Sequence, residues 1–99
     1  MDIYKLVNNV PIFSDYIKSD EEIDKETLKK IRAKYSEADE MKLHRQKLNN
    51  ENLDSYNEYN LFVESCRLEG QNIKQANQER IKQLTPYVIE DRTIMVEYE

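Results

Sequence analysis

The sequence predicts a mainly α protein, a helical hairpin of two or three amphipathic helices with short β segments at both termini. Three observations predict it. Apolar residues recur in steps of three and four between residues 20 and 84. One glycine and two prolines in 99 residues are too few turn formers for an all-β fold. β-branched and aromatic residues gather instead at the two ends, in IYKLV, VPIF, YVI and TIMVEY. With 38% apolar and 35% charged residues, the chain is expected to form one small domain over 1–99 with a thin core.

Residues 1–14 read as two short strands around Asn8-Asn9, because asparagine tolerates the left-handed backbone of a tight hairpin turn. Pro11 lacks an amide hydrogen, which puts the second strand on a sheet edge. Helical signals fill 20–48. Ser19 or Asp20 caps, and Glu21, Glu22 and Asp24 suit a helix N-terminus. Leu28, Ile31, Tyr35, Ala38, Met41, Leu43 and Leu48 then supply the apolar positions. Ser36 followed by Asp39 resembles a second cap, so the spacing leaves open one helix or two. NNEN at 49–52 is a loop.

A long helix is expected over 54–84, capped by Asp54 or Ser55. Its seam reads Tyr56, Tyr59, Val63, Cys66, Gly70, Ile73, Asn77, Arg80 and Leu84, diluted in its second half by Gly70, Asn77 and Arg80. Polar insertions of this kind mark a coiled-coil-like contact whose register is specified, or a helix end that meets a partner. Whether the seam is satisfied within the chain or between copies stays open. Pro86 ends the helix, and 87–98 is β-prone, with Ile94, Val96 and Tyr98 on one face. That run either joins the N-terminal hairpin in a small sheet or offers an exposed edge for strand addition.

Reactive chemistry has little to stand on. His44 is the only histidine and Cys66 the only cysteine. His44 with Glu40 is too small a set for a metal site, and Cys66 lies on the apolar seam, where a small buried hydrophobe is the ordinary role. Gly70, the only glycine, excludes a phosphate-cradling loop. Neither enzyme activity nor a cofactor is expected. The basic run Lys29, Lys30, Arg32, Lys34 sits in a chain of net charge −5, so nucleic acid is not an expected partner. Charge alternates along the chain, with eight lysines and arginines against four acids over 25–47. The opening MDIYKLVNNV lacks a signal-peptide pattern and no window approaches the roughly 18 apolar residues of a membrane span, so cytoplasm or virion is the expected setting.

Tyrosine is enriched at interfaces, and the candidate partner-binding residues are Tyr56, Tyr59, Phe62 and Val63, with packing inside a hairpin as the competing role. The segments YSEADEMKLHRQKL and YNEYNLFVESC, joined by a short loop within about residues 30–75, resemble small tail-region proteins of tailed bacteriophages and prophages. The resemblance implies a tail structural or tail-assembly accessory protein that binds a tail or fibre component or further copies of itself. A second expectation is an acidic inhibitor of a host nucleic-acid enzyme. It would present Asp15, Asp20, Glu21, Glu22 and Asp24, with Glu51, Asp54 and Glu58, where DNA phosphates would lie.

Overall fold

A computed structural model describes residues 1–98. The order of elements is β1 (Asp2–Val7), β2 (Val10–Tyr16), α1 (Asp20–Lys34), α2 (Glu37–Leu48), α3 (Leu53–Lys82), β3 (Thr85–Ile89) and β4 (Arg92–Val96). The protein is therefore mainly helical with some β structure. The chain forms two compact units: one from Met1–Asp20 together with the chain from Lys74 onward, the other from Glu21–Ile73. Helix α3 contributes to both. Among the described residues no helix is long and apolar enough to cross a membrane.

In the sheet unit the strand order is β2-β1-β4-β3. Two antiparallel hairpins meet through a short parallel contact, with Ile3 opposite Met95 and Tyr4 opposite Val96, and the Glu97 N–H donates to the Tyr4 carbonyl at 2.9 Å. Both hairpins turn on two left-handed residues, Asn8 and Asn9 (φ 51° and 64°) and Glu90 and Asp91 (φ 48° and 61°). Such turns match the twist of the flanking strands. β2 runs to Tyr16, two residues past the expected segment, through a bulge that leaves Ser14 without an opposite residue.

Both prolines of the chain lie on the two edge strands. A two-residue turn makes Val7–Val10 and Ile89–Arg92 hydrogen-bonded pairs, so the non-bonded pairs after them alternate outward. Pro11 and Pro86 occupy such non-bonded positions, where an amide hydrogen would point away from the sheet. Each edge is thereby missing a donor that an added strand would use.

In the helical unit, α1 ends at Lys34 and α2 restarts at Glu37, so 20–48 is two helices. The break is built by a reciprocal capping box. The Asp39 N–H donates to Ser36 Oγ and the Ser36 N–H donates to Asp39 Oδ2, both at 3.0 Å. Aspartate reaches back here as the longer glutamate usually does. The 49–52 loop holds, with Asn50 and Asn52 left-handed (φ 54° and 51°). Helix α3 starts at Leu53, so Asp54 lies in its first turn and neither Asp54 nor Ser55 is the cap. It stops at Lys82 rather than at 84, and Pro86 already belongs to β3.

The core of this unit is Ile31, Leu43, Tyr59, Val63 and Cys66, edged by Tyr35, Tyr56 and Phe62. Leu28, Ala38, Met41 and Leu48, expected on the apolar stripe, are exposed, Leu48 at 85%. Ile23, which the spacing did not single out, is buried at 2%. Gly70 marks a close approach between α1 and α3. A Cβ there would meet Thr27 Oγ1 at 2.8 Å and Ile23 Cγ2 at 3.7 Å.

Candidate docking surfaces

The aromatic ridge of α3 faces inward. Tyr59 and Val63 are 6% and 5% exposed, and the Tyr35 ring meets Tyr59 edge-on at 5.0 Å. His44, itself exposed, stacks 5.7 Å from both Tyr56 and Tyr59. Tyr56 and Phe62 are half-buried under ammonium groups: Lys47 Nζ lies 4.3 Å from the Tyr56 ring centroid and Lys34 Nζ 4.5 Å from that of Phe62. Of the four candidate contact residues, two are thus interior and two lie at a rim covered by cations. The free thiol of Cys66 is buried in the same core.

The basic run is largely engaged within the unit. Lys30 bonds Glu69 at 2.6 Å, Arg32 bonds Glu40 at 2.6 Å, and Lys34 sits on the Phe62 ring. The Arg32 guanidinium holds the Glu40 carboxyl below the usual carboxylate range, while burial pushes the Tyr59 phenol up. Glu40 is therefore engaged chiefly by Arg32, with His44 a lesser influence on its carboxyl.

In the sheet unit, Arg80 on α3 donates from Nη1 to Asp15 Oδ2 at 2.7 Å and from Nη2 to Glu97 Oε2 at 3.3 Å. The Asn77 amide donates to the Lys18 carbonyl at 3.4 Å. The two polar residues that dilute the α3 seam thus tie the last turns of the helix to the sheet and the segment after it. Asp15 is consequently paired, unlike a free phosphate mimic.

The Arg80 hydrogen bond lowers the Asp15 pKa, and the Tyr16 N–H adds to the effect. A carboxylate whose folded pKa is depressed contributes stability above its unfolded value, near pH 4, and loses it as pH falls through the lower folded value. Asp15→Asn should therefore destabilise the protein at neutral pH and close the gap to wild type as urea melts are repeated toward pH 3, measured on the scale of carboxylate titration. A gap that stays constant with pH would show that the ion pair contributes nothing.

The sheet has two unlike faces. Ile3, Asp15, Met95 and Glu97 share one, which holds the buried cluster of Ile3, Ile17 and Leu84 and the Arg80 contacts. The opposite face carries Pro11, Phe13 and Tyr16 on β2, Tyr4 and Leu6 on β1, Ile94 and Val96 on β4, and Tyr87 and Ile89 on β3, as the strand pairing dictates. Val96 and Ile94, 0% and 8% exposed, form its floor, between half-buried Tyr4 and Tyr87 on the neighbouring strands. Phe13 packs edge-on against Tyr4 at 6.1 Å yet stays 57% exposed, and Tyr16 is 45% exposed. This patch escaped sequence reasoning because its residues are scattered over four strands from both ends of the chain. The β-prone runs at both ends, and the alternation that puts Ile94 and Val96 on one face, are its local signals.

Its charges are few: Asp2 opens β1 and Arg92 opens β4, both exposed. Base stacking on such rings normally comes with a basic groove for the phosphates, and one arginine beside an aspartate does not make one. Scans against protein-family models, curated proteins and solved structures found no match.

Proposed function

We propose that this chain is a non-enzymatic protein-interaction module that docks through the aromatic outer face of its sheet. Supporting that reading, apolar patches rimmed by polar residues mark contact sites on soluble proteins, and rigid exposed rings such as Phe13 and Tyr16 are favoured anchors. The proline-blocked edges favour a face over strand addition as the mode of contact. The resemblance of residues 30–75 to small phage tail-region proteins supports a role as a tail structural or tail-assembly accessory, acting in the host cytoplasm or in the virion. The half-buried rim of Tyr56 and Phe62 is a secondary contact in this reading, with Tyr59 and Val63 supporting it from beneath.

A photoreactive phenylalanine analogue at position 13 tests the proposal in expressing cells, with the same analogue at exposed Leu61 on α3 as the control. The expected result is a covalent protein adduct from position 13, formed equally well in raised salt, because apolar contacts are not screened. An adduct to nucleic acid, or none at position 13, would overturn it. An adduct that disappears in raised salt would favour the acidic inhibitor instead.

A further inference from the structure

The helical unit carries a different kind of surface, a polar groove with cations to spare. A cavity of about 260 Å³ opens between α2 and α3, where α1 ends and the 49–52 loop closes the hairpin. We propose that it holds a phosphate monoester bearing one flat ring, with the phosphate between Lys34 and Lys42 and the ring against Tyr35 and Leu43. This site is separate from the sheet face and stands whether or not that face docks a protein.

Charge supplies the first argument. Lys30 and Arg32 are spent on Glu69 and Glu40, and Lys47 covers the Tyr56 ring. Lys34 and Lys42 line the cavity, and neither belongs to an ion pair among the described residues. Lys34 leans on the Phe62 ring, 4.5 Å from its centroid, and its charge is not neutralised there. The carboxylate in the lining, Asp39, already has a use. Its Oδ2 accepts the Ser36 N–H at 3.0 Å as half of the capping box, and that bond holds its pKa below the usual range. Two free cations against one committed acid favour an anion.

Hydrogen-bonding capacity supplies the second. Asn52 Nδ2 donates to Gln46 Oε1 at 3.1 Å, so the Gln46 carboxamide keeps its N–H donors for the groove. The Ser55 hydroxyl, half-buried in the first turn of α3, makes no hydrogen bond among the described residues. Donors thus come from three helices: Lys34 from α1, Lys42 and Gln46 from α2, and Ser55 from α3. Such a set selects phosphate over carboxylate. A planar carboxylate is matched best by the paired N–H groups of one arginine, whereas lysines act as point charges around a group richer in acceptor oxygens.

Shape supplies the third. Tyr35 is half-buried and Leu43 is 8% exposed, so the inner wall is apolar. The volume falls below the roughly 300–1,000 Å³ of sites for drug-sized ligands, which limits the occupant to one ring beyond its phosphate. A ligand of about ten heavy atoms between solvated lysines binds weakly, at about 1 mM.

Phenyl phosphate titrated into the isotope-labelled full chain, followed by amide NMR shifts, tests the site. The amides of Lys42, Gln46 and Ser55 should move together and saturate near about 1 mM. Inorganic phosphate, which lacks the ring, and benzoate, which lacks the phosphate, should each bind at least about fivefold more weakly. Lys34→Gln and Lys42→Gln should each weaken phenyl phosphate about threefold or more. Lys29→Gln, exposed on α1 and outside the cavity, should leave it unchanged. All three variants replace exposed side chains, so the fold is retained. A short phosphotyrosyl peptide identifies the source of the group: tighter binding than phenyl phosphate marks a modified protein side chain, and weaker binding marks a free small molecule. Equal weakening by Lys29→Gln would overturn the site, because attraction to overall charge would explain the binding. Benzoate binding as tightly as phenyl phosphate, or shifts at the three amides that are absent or never saturate, would overturn it too.

Discussion

Gly70→Ala should destabilise the protein, although the same change in an unpacked helix is stabilising. In mid-helix, alanine is worth about 1 kcal/mol over glycine. Here the added Cβ would lie 2.8 Å from Thr27 Oγ1, closer than such contacts ordinarily come. Thr27 has little freedom to yield. Its hydroxyl donates to the Ile23 carbonyl at 3.0 Å, and rotating χ1 breaks that bond while swinging other substituents of a β-branched side chain through the same space. Overpacking a close helix contact costs about 1–3 kcal/mol, so a net loss of about 1 kcal/mol or more is expected in urea melts at unchanged m. Thr27→Ala in the Gly70→Ala background removes the obstructing atom and should recover the loss, giving a large coupling in the double-mutant cycle. A Gly70→Ala protein as stable as wild type would mean that α1 and α3 do not approach at this point.

That glycine shows where sequence reasoning reached and where it stopped. The chain turns on asparagine, with Asn8, Asn9, Asn50 and Asn52 all left-handed, so the first hairpin and the interhelical loop were legible from residue type. Glu90 and Asp91 adopt the same backbone with residues that rarely announce it, and the second hairpin was seen only as two β-prone runs. The helix break at Ser36 was half-legible, because Asp39 stood where a longer acid is usual. Periodicity located α3 but not what each position met. Gly70 reads as a weak point in the seam and is a close helix–helix contact. Asn77 and Arg80 read as register markers or as a helix end that meets a partner, and they bond to the Lys18 carbonyl and to Asp15 and Glu97. The stripe on α1 and α2 is misplaced at Leu28, Ala38, Met41 and Leu48 because a 3.6-residue period admits two neighbouring stripes, and only tertiary contact selects between them. The candidate docking face was the least legible, since no single strand holds more than three of its residues.

Tyr59→Lys should abolish folding of the helical unit, which separates a core role from a contact role for the aromatic ridge. The ring is 6% exposed and has three aromatic neighbours, Tyr35 at 5.0 Å, His44 at 5.7 Å and Tyr56 at 6.0 Å. Truncating a buried aromatic costs about 3–5 kcal/mol, and placing an ammonium in the vacated space adds a desolvation cost. A chain of this size is stable by only about 5–15 kcal/mol, so the helical signal should fall sharply at ambient temperature. Tyr59→Phe is the informative companion, because it keeps the ring and removes the hydroxyl that helps lower the Glu40 pKa. It should cost far less than Tyr59→Lys, because the buried ring stays in place. The same change should let the Glu40 carboxyl titrate at a higher pH, although Arg32, its principal partner, remains. Phe62→Lys, at the half-buried rim, should be tolerated better than Tyr59→Lys, with its ammonium free to lie beside Lys34 in solvent. If circular dichroism and the melting midpoint were unchanged in Tyr59→Lys, the ridge could not be the core of α1, α2 and α3, and the contact role of Tyr56, Tyr59, Phe62 and Val63 would regain first place over the sheet face.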